Sequence, residues 1–245
     1  MLTIDSTGRT ALVTGSARGI GRAFALALAD AGADVAVHYN TSEAAAEATA
    51  EEARERGVDA ISVDADITRP DAVEDLFERI ETELGHVDVL VNNVGDFAPE
   101  HWEEIPLDRW RQVFETNLTG TMLCSKRALG PMRDAGWGRV VNLGYASADR
   151  ASVSPKNFPY FVAKTGVIMF TRMLAADTQH DGITVNTVSP YVVETSDAFP
   201  DDAPRGRWAR TDDLVQALLF FVDEGSEYIS GENVEVDGGW LPESV

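Results

Sequence analysis

Short apolar stretches rich in valine alternate along this chain with longer segments in which apolar residues recur at helical spacing. Such runs are typical of strands buried on both faces of a sheet, whereas Val73, Leu76, Phe77 and Ile80 fall on one face of a helix. The pattern predicts strands at Ala11–Thr14, Val35–His38, Ala60–Val63, Val87–Asn92, Arg139–Leu143, Thr184–Val188 and Asn233–Val236. It predicts helices at Gly19–Ala31, Ser42–Arg56, Pro70–Leu84, Leu107–Asp134, Phe158–His180 and Thr211–Asp223.

This alternation predicts an α/β fold. Strand-helix-strand units joined by right-handed crossovers give a doubly wound, seven-stranded parallel sheet with helices on both faces. The 245 residues, 44% of them hydrophobic, fit one domain spanning residues 1–245. The irregular stretch Thr195–Trp208 is expected to be a surface loop beside a ligand crevice.

The charge balance excludes some functions. Forty-one acidic residues against twenty basic ones give a net charge of −21, so we expect no binding to nucleic acid or to an anionic membrane. Only three of the cations are lysines. An acidic, lysine-poor surface suits a protein kept soluble in concentrated salt, where screening removes self-repulsion. A halophilic source is therefore predicted, with an ordinary acidic cytosolic protein as the alternative.

Several further classes of protein are disfavoured. No apolar run approaches the roughly 20 residues that span a bilayer, and the first residues lack the pattern of a signal peptide. The single cysteine, Cys124, excludes an internal disulfide framework, and the four histidines stand far apart. We expect a cytoplasmic protein with no structural metal.

A glycine-rich turn lies between the first strand and the first helix. In the segment Thr14–Gly21, Gly15 permits a tight turn, Gly19 lets the backbone approach a pyrophosphate, and Gly21 lets the helix lie close to the sheet. The position of these glycines favours a dinucleotide site over a plain strand-to-helix turn. The cofactor-binding residues predicted here are Gly15, Ser16, Ala17, Arg18, Gly19, Ile20 and Gly21.

The end of the second strand bears on the choice of cofactor. An acidic residue there would bind the adenosine ribose and repel a 2′-phosphate, but no carboxylate appears before Glu43. Asn40, Thr41 and Ser42 supply neutral donors, and Arg18 supplies a cation. NADP(H) is therefore favoured over NAD(H), unless Arg18 is merely an exposed residue at a helix end.

A tyrosine and a lysine share one face of the long helix near residue 160. Tyr160 and Lys164 are four residues apart and project in the same direction. A nearby ammonium favours the phenolate, so we expect Lys164 to lower the pKa of Tyr160 and make it a usable proton donor or acceptor.

Taken together, these motifs resemble those of the short-chain dehydrogenase/reductase family, nearest to its 3-oxoacyl-carrier-protein reductase branch. The resemblance runs from Thr10 to Trp240 and implies a Rossmann fold. Its motifs, in the order of that family, are Thr14–Gly21, Asp66-Ile67, Asn92–Gly95, Thr116-Asn117, Tyr160 with Lys164, Val185-Asn186, Ser189-Pro190, Thr195 and Asp237–Trp240.

The resemblance also implies roles for individual residues. Asp66 and Ile67 would face the adenine. Lys164 would bind the nicotinamide ribose, and Asn117 would hold a water in a proton relay to Lys164. The further cofactor-binding residues implied are Asn93, Val94, Gly95, Tyr160, Pro190, Val193 and Thr195.

The chain departs from the family pattern where a serine normally polarises the substrate carbonyl. Counting from the fifth strand places Tyr145 at that position, whereas counting back from Tyr160 gives Ser147. Ser147 is our prediction for the fourth catalytic residue, with the Tyr145 phenol, or no donor at all, as alternatives. A second departure is Tyr191, where the family usually has glycine.

The expected function is an NADP(H)-dependent oxidoreductase that interconverts a carbonyl and a secondary alcohol, with catalytic residues Asn117, Ser147, Tyr160 and Lys164. The substrate would be a small molecule or a carrier-linked carbonyl compound. The alternatives are reduction of a pterin or quinone-like ring and, from another class, a non-catalytic dinucleotide-binding sensor or scaffold. The resemblance implies a homotetramer or homodimer assembled through Leu107–Asp134 and Phe158–Ala175.

Overall fold

The structure, a computed structural model, describes residues 4–148, 155–196, 199 and 203–240. It contains all seven strands that the hydrophobic pattern predicts, with each end shifted by at most two residues. The strands are β1 (Thr10–Val13), β2 (Asp34–Tyr39), β3 (Ala60–Asp64), β4 (Val89–Asn92), β5 (Gly138–Leu143), β6 (Ile183–Pro190) and β7 (Asn233–Val236).

The strands form one sheet in the order β3-β2-β1-β4-β5-β6-β7. Every pairing between neighbours is parallel. The order reverses between β1 and β4, which opens a crevice beyond the carboxyl ends of these strands. The α/β fold with a Rossmann-type sheet, expected from the sequence, is confirmed.

Two hydrophobic cores cover the two faces of the sheet. Alternate residues of one strand belong to different cores: Ala11 and Val13 face one, and Leu12 faces the other. The same alternation places Val141 in the first core and Val140 in the second. Burial on both faces explains why apolar residues follow one another directly in these strands, as in Ala11–Val13 and at Val140 and Val141.

Seven α-helices flank the sheet in the described part of the chain. They are α1 (Gly19–Asp30), α2 (Glu43–Arg54), α3 (Pro70–Glu83), α4 (Leu107–Phe114), α5 (Gly120–Ala135), α6 (Phe158–Asp177) and α7 (Thr211–Val222). The single helix predicted over Leu107–Asp134 is interrupted by a π-helical segment, Glu115–Thr119. Such widened turns are frequent at functional sites, and this one contains Asn117.

Two further expectations from the sequence concern the loop at Thr195–Trp208 and membrane-spanning helices. The stretch Thr195–Trp208 is described at residues 195–196, 199 and 203–208 only, so the loop predicted there lies partly outside the described residues. No helix in the described ranges combines the length and apolar character needed to cross a bilayer.

Candidate active site

The glycine turn is held by the segment that follows β4. The side-chain amide of Asn93, after β4, donates to the carbonyl oxygens of Thr14 and Gly15 at 2.9 and 3.1 Å. The Thr14 hydroxyl oxygen accepts from the backbone N–H of Asn93 and of Val94. A β-carbon on Gly21 would stand 2.4 Å from the carbonyl oxygen of Gly15, so only glycine fits at that position.

The same turn leaves space for an anion. Gly19 has a φ of +60°, and a β-carbon built there would meet no atom within 4 Å. Helix α1 begins at Gly19 with no acidic residue in its first turn, and its first N–H groups have no partner within the helix. An open surface beside a helix N-terminus suits a phosphate group. These residues fit the pyrophosphate of a dinucleotide.

His38, near the end of β2, forms a hydrogen bond to the glycine turn. The sequence analysis did not predict this contact. Its Nδ1 accepts the backbone N–H of Gly15 at 2.9 Å, so its Nε2 carries the proton and donates to the carbonyl oxygen of Ala65 at 3.0 Å. Burial lowers the pKa of His38 to about 4, so the ring is neutral at physiological pH. The spacing of histidines along the sequence gives no sign of this contact.

Ser16 braces the turn instead of lining its outer surface. Its hydroxyl donates to the carbonyl oxygen of Val13 at 2.7 Å and accepts the backbone N–H of His38. Ser16 is fully buried. Its hydrogen bonds hold the backbone of the glycine turn to β1 and β2.

Tyr160 and Lys164 lie together in α6, and both are buried. The Lys164 ammonium donates to the carbonyl oxygen of Leu143, at the end of β5, at 2.7 Å. Its Nζ stands 5.7 Å from the centre of the Tyr160 ring. The shared face predicted from their spacing is therefore present.

The predicted lowering of the Tyr160 pKa by Lys164 is wrong. Burial raises the pKa of Tyr160, and the nearby Tyr145 raises it further. Burial also lowers the pKa of Lys164 to about 7. Removal from water disfavours both the phenolate and the ammonium.

A buried chain of polar side chains anchors α6 to the sheet. The Asn92 amide donates to Asn142 Oδ1 at 2.8 Å, and the Asn142 amide donates to the Thr171 hydroxyl at 2.9 Å. Thr171 in turn shares a hydrogen bond of 2.8 Å with Thr187 of β6. Because these partners lie on β4, β5 and β6, they fix the helix that carries Tyr160.

The side chain of Asn117 lies next to Gly95. Its side-chain amide donates to the carbonyl oxygens of Asp96 and Val113 at 2.8 and 2.9 Å, while its Oδ1 is buried with no hydrogen-bond partner among the described residues. A β-carbon on Gly95 would stand 3.1 Å from that oxygen and 3.8 Å from Lys164 Nζ. The small residue thus keeps the space between Asn117 and Lys164 open.

The structure separates the two candidates for the carbonyl-polarising residue. Tyr145 follows β5, lines the cleft and places its ring centre 5.7 Å from that of Tyr160. Ser147 is fully buried, its hydroxyl has no partner in the described part of the chain, and it does not line the cleft. Its backbone has a φ of +67°, and its N–H donates to Glu235 on β7. The expectation for Ser147 does not fit this placement, because the chain turns away from the cleft after Ala146.

These elements enclose one cleft of about 890 Å³ at the carboxyl ends of the strands. Of the residues predicted from the sequence, Ser16, Asn117 and Ser147 do not line it. Those that do are Gly15, Ala17, Arg18, Gly19, Ile20, Gly21, Asn40, Asp66, Ile67, Asn93, Val94, Gly95, Tyr160, Lys164, Pro190, Val193 and Thr195. The cleft therefore joins the glycine turn to the Tyr160–Lys164 pair.

Comparison with known proteins agrees with this geometry. A family model described as enoyl-(acyl carrier protein) reductase matches residues 15–241. A 3-oxoacyl-[acyl-carrier-protein] reductase of Staphylococcus aureus is 34% identical over 241 residues, covering 94% of this chain and 97% of the relative. The chain belongs to the short-chain dehydrogenase/reductase family. It is accordingly an oxidoreductase of the type that acts on CH–OH groups.

Solved structures of short-chain dehydrogenases share the architecture. An acetoin dehydrogenase from Salmonella typhimurium superposes with a TM-score of 0.86 at 30% identity, covering 97% of this chain and 98% of that one. A gluconate 5-dehydrogenase from Burkholderia cenocepacia, in complex with NADP and tartrate, superposes with a TM-score of 0.89 at 30% identity and 96% coverage of both chains. The names of these relatives indicate different substrates on one fold, so substrate choice has to be argued from the cleft itself.

The sequence analysis missed two groups of residues in this oxidoreductase. The first is His38, whose contacts depend on the fold. The second comprises residues that line the cleft beside Tyr160, namely Phe97, Pro99, Asn157 and Val192. Phe97 follows Asn93–Gly95 closely in sequence, and this adjacency is the one signal that could have pointed to it.

Proposed function

We propose that this protein is an NADP(H)-dependent oxidoreductase of the 3-oxoacyl-carrier-protein reductase type, interconverting a carbonyl and a secondary alcohol. The observation that carries the proposal is the single cleft in which the glycine turn and the buried Tyr160–Lys164 pair lie. When bound, the dinucleotide would supply or accept the hydride. The protein's own residues would bind it, orient the substrate and move the proton.

The proton would be handled by the tyrosine. In the reductive direction the Tyr160 phenol would donate its proton to the oxygen that becomes the alcohol. Lys164, positioned by its bond to the Leu143 carbonyl oxygen, would stabilise the phenolate left behind and bind the nicotinamide ribose. Asn117, whose buried Oδ1 lies near Gly95, would hold the water of the relay to Lys164. Tyr145 would donate a hydrogen bond to the substrate carbonyl oxygen.

The preference for NADP(H) is supported by the charge at the far end of the cleft. Asn40, Thr41 and Ser42 line it together with Arg18, and helix α2 begins only after them, at Glu43. A guanidinium and neutral donors suit a 2′-phosphate. We expect Arg18→Ala to weaken NADPH binding by roughly tenfold and NADH binding by less than twofold, as measured by fluorescence titration. Equal losses for both nucleotides would refute the preference.

The proposed activity is tested with purified protein, NADPH and a panel of ketones and 3-oxoacyl thioesters, by the loss of nicotinamide absorbance. Tyr160→Phe should remove nearly all turnover while NADPH still binds. Tyr228→Phe is the matched control, because Tyr228 is fully exposed. Full activity in Tyr160→Phe would overturn the assignment. NADPH binding without turnover of any compound would favour a sensor or scaffold.

We also propose that the protein is a homodimer or homotetramer. Helix α6 presents Val162, Met169 and Met173 on one face, and Met169 and Met173 are 62% and 66% exposed. Exposed apolar residues on one helix face mark a surface that a partner covers, here a second copy of the chain. Met169→Glu should shift the mass measured by light scattering towards the monomer. An unchanged mass would refute the role of this face.

A further inference from the structure

Aromatic rings form a continuous series beside the proposed proton donor. The ring centre of Phe97 lies 4.6 Å from that of Tyr160, and that of Tyr145 lies 5.7 Å from it on an edge-to-face arrangement. Tyr191 follows at 6.4 Å from Tyr145, and Trp240 stacks on Tyr191 at 3.9 Å with an interplanar angle of 9°. The phenol of Tyr160 is thus flanked by rings on both sides.

Three of these rings border the cleft, and neighbouring rings hold two of them in place. Phe97 is 49% exposed and Tyr191 is half-buried, so both present ring surface to a ligand. The stack on Trp240 fixes Tyr191, and an edge-to-face contact with Phe161 at 5.2 Å braces Tyr145. Rings held in this way can stack on a flat ligand with little loss of conformational freedom.

Few charged side chains line the cleft among the described residues. Among the described lining residues, the side chains that carry a charge are Arg18, Asp66 and Lys164. Arg18 and Asp66 lie on the dinucleotide side, at the glycine turn and after β3. Lys164 is engaged with the carbonyl oxygen of Leu143.

We propose, building on the function proposed above, that the substrate is a ketone whose carbonyl carries a planar aromatic ring. Phe97 and Tyr191 recognise the ring, while the phenols of Tyr145 and Tyr160 meet the carbonyl oxygen. An aromatic ring gains from stacked and edge-to-face contacts beyond the burial of its area, whereas a saturated ring of the same size does not. The specificity is therefore for planarity and not for size alone.

Binding of two matched ketones tests this recognition. Acetophenone and cyclohexyl methyl ketone have the same carbon skeleton and differ in the planarity of the ring. With saturating NADP⁺ neither is reduced, so ligand-detected NMR measures their dissociation constants without turnover. From the energy of aromatic contacts we expect acetophenone to bind roughly tenfold more tightly.

Variants locate the effect within the cleft. Phe97→Leu and Tyr191→Leu should each reduce the binding ratio of the two ketones by roughly threefold. Phe220→Leu is the matched control, because Phe220 is an exposed aromatic residue of α7 that does not line the cleft, and the ratio should not change. A wild-type ratio near one, or a ratio that neither cleft variant lowers, would overturn the proposal.

The test of aromatic recognition can fail or succeed independently of the test of the proposed oxidoreductase activity. Turnover of both ketones with NADPH at equal efficiency, together with a binding ratio near one, would sustain the oxidoreductase and reject aromatic recognition. A tenfold binding ratio that falls in both cleft variants, with no oxidation of NADPH by either ketone, would sustain the recognition and reject the reaction.

Discussion

Replacing each of two hydroxyl-bearing residues tests which one polarises the substrate carbonyl. Tyr145 lines the cleft, with its ring 5.7 Å from that of Tyr160. Ser147 is fully buried outside the cleft lining. Burial raises the pKa of Tyr145 to about 12, so its phenol stays protonated and able to donate at any pH at which the enzyme works. Tyr145→Phe and Ser147→Ala each remove one hydroxyl and leave the rest of the side chain in place.

The two variants should differ widely in rate. Removing one hydrogen-bond donor that acts on a developing oxyanion costs about 100-fold in kcat, which is ~2.7 kcal/mol of transition-state stabilisation. Tyr145→Phe should lose about that amount. Ser147→Ala removes a hydroxyl that has no partner among the described residues, so kcat should change by less than about twofold.

Stability measurements separate a chemical effect from a folding defect. Tyr145→Phe keeps the ring and its contacts with Tyr160 and Phe161, so its free energy of unfolding should remain close to that of the parent. Ser147→Ala relieves an unpartnered buried hydroxyl and should be stabilised by about 1 kcal/mol. Steady-state kinetics and urea unfolding of both variants supply the data. A hundredfold loss in Ser147→Ala with normal turnover in Tyr145→Phe would refute the reasoning.

Three further predictions follow from burial, sterics and charge. Burial lowers the pKa of Lys164 from 10.5 to about 7, so between these pH values the unfolded chain holds a proton that the folded chain has lost. The free energy of unfolding should therefore rise with pH over this range, and it should rise less in Lys164→Met. Urea unfolding at pH 7 and 9 measures both. Gly21→Ala should abolish NADPH binding in a fluorescence titration because its β-carbon would stand 2.4 Å from the Gly15 carbonyl oxygen, whereas Gly130→Ala, with no atom within 4 Å, should bind normally. With a net charge of −21, the melting temperature should rise as KCl is increased from about 0.1 to about 2 M, and a fall would contradict the predicted adaptation to salt.

The sheet could be predicted from the sequence because its information is local and periodic. The strands are short segments rich in valine, and they alternate along the chain with longer helices that bury one or more apolar faces. The rule of right-handed crossovers then leaves few topologies open. The glycine turn was equally readable, since Gly15, Gly19 and Gly21 are required by backbone geometry that depends on residues close in sequence.

The details of the site depend on contacts between distant residues, which the sequence does not contain. The choice between Tyr145 and Ser147 is decided by where the chain leaves β5, and there Gly144 passes so close to β6 that a β-carbon would meet the Ser189 hydroxyl at 2.2 Å. His38 reaches Gly15 because β1 and β2 are neighbours in the sheet. The π-helical segment at Asn117 likewise gives no sign in the hydrophobic pattern of Leu107–Asp134.

Burial also shifts the pKa values of Tyr160 and Lys164. The spacing of the two residues along the helix does not reveal how deeply they are buried. Four residues of separation place an ammonium near a phenol, which by itself would make Tyr160 acidic. Enclosure by Phe97, Tyr145 and the sheet raises the pKa of Tyr160 instead. A neutral phenol is the form that gives a proton to a nascent alkoxide, whereas alcohol oxidation needs the phenolate as base. Burial therefore favours the neutral phenol at Tyr160, and a role as a base requires a group that stabilises the phenolate.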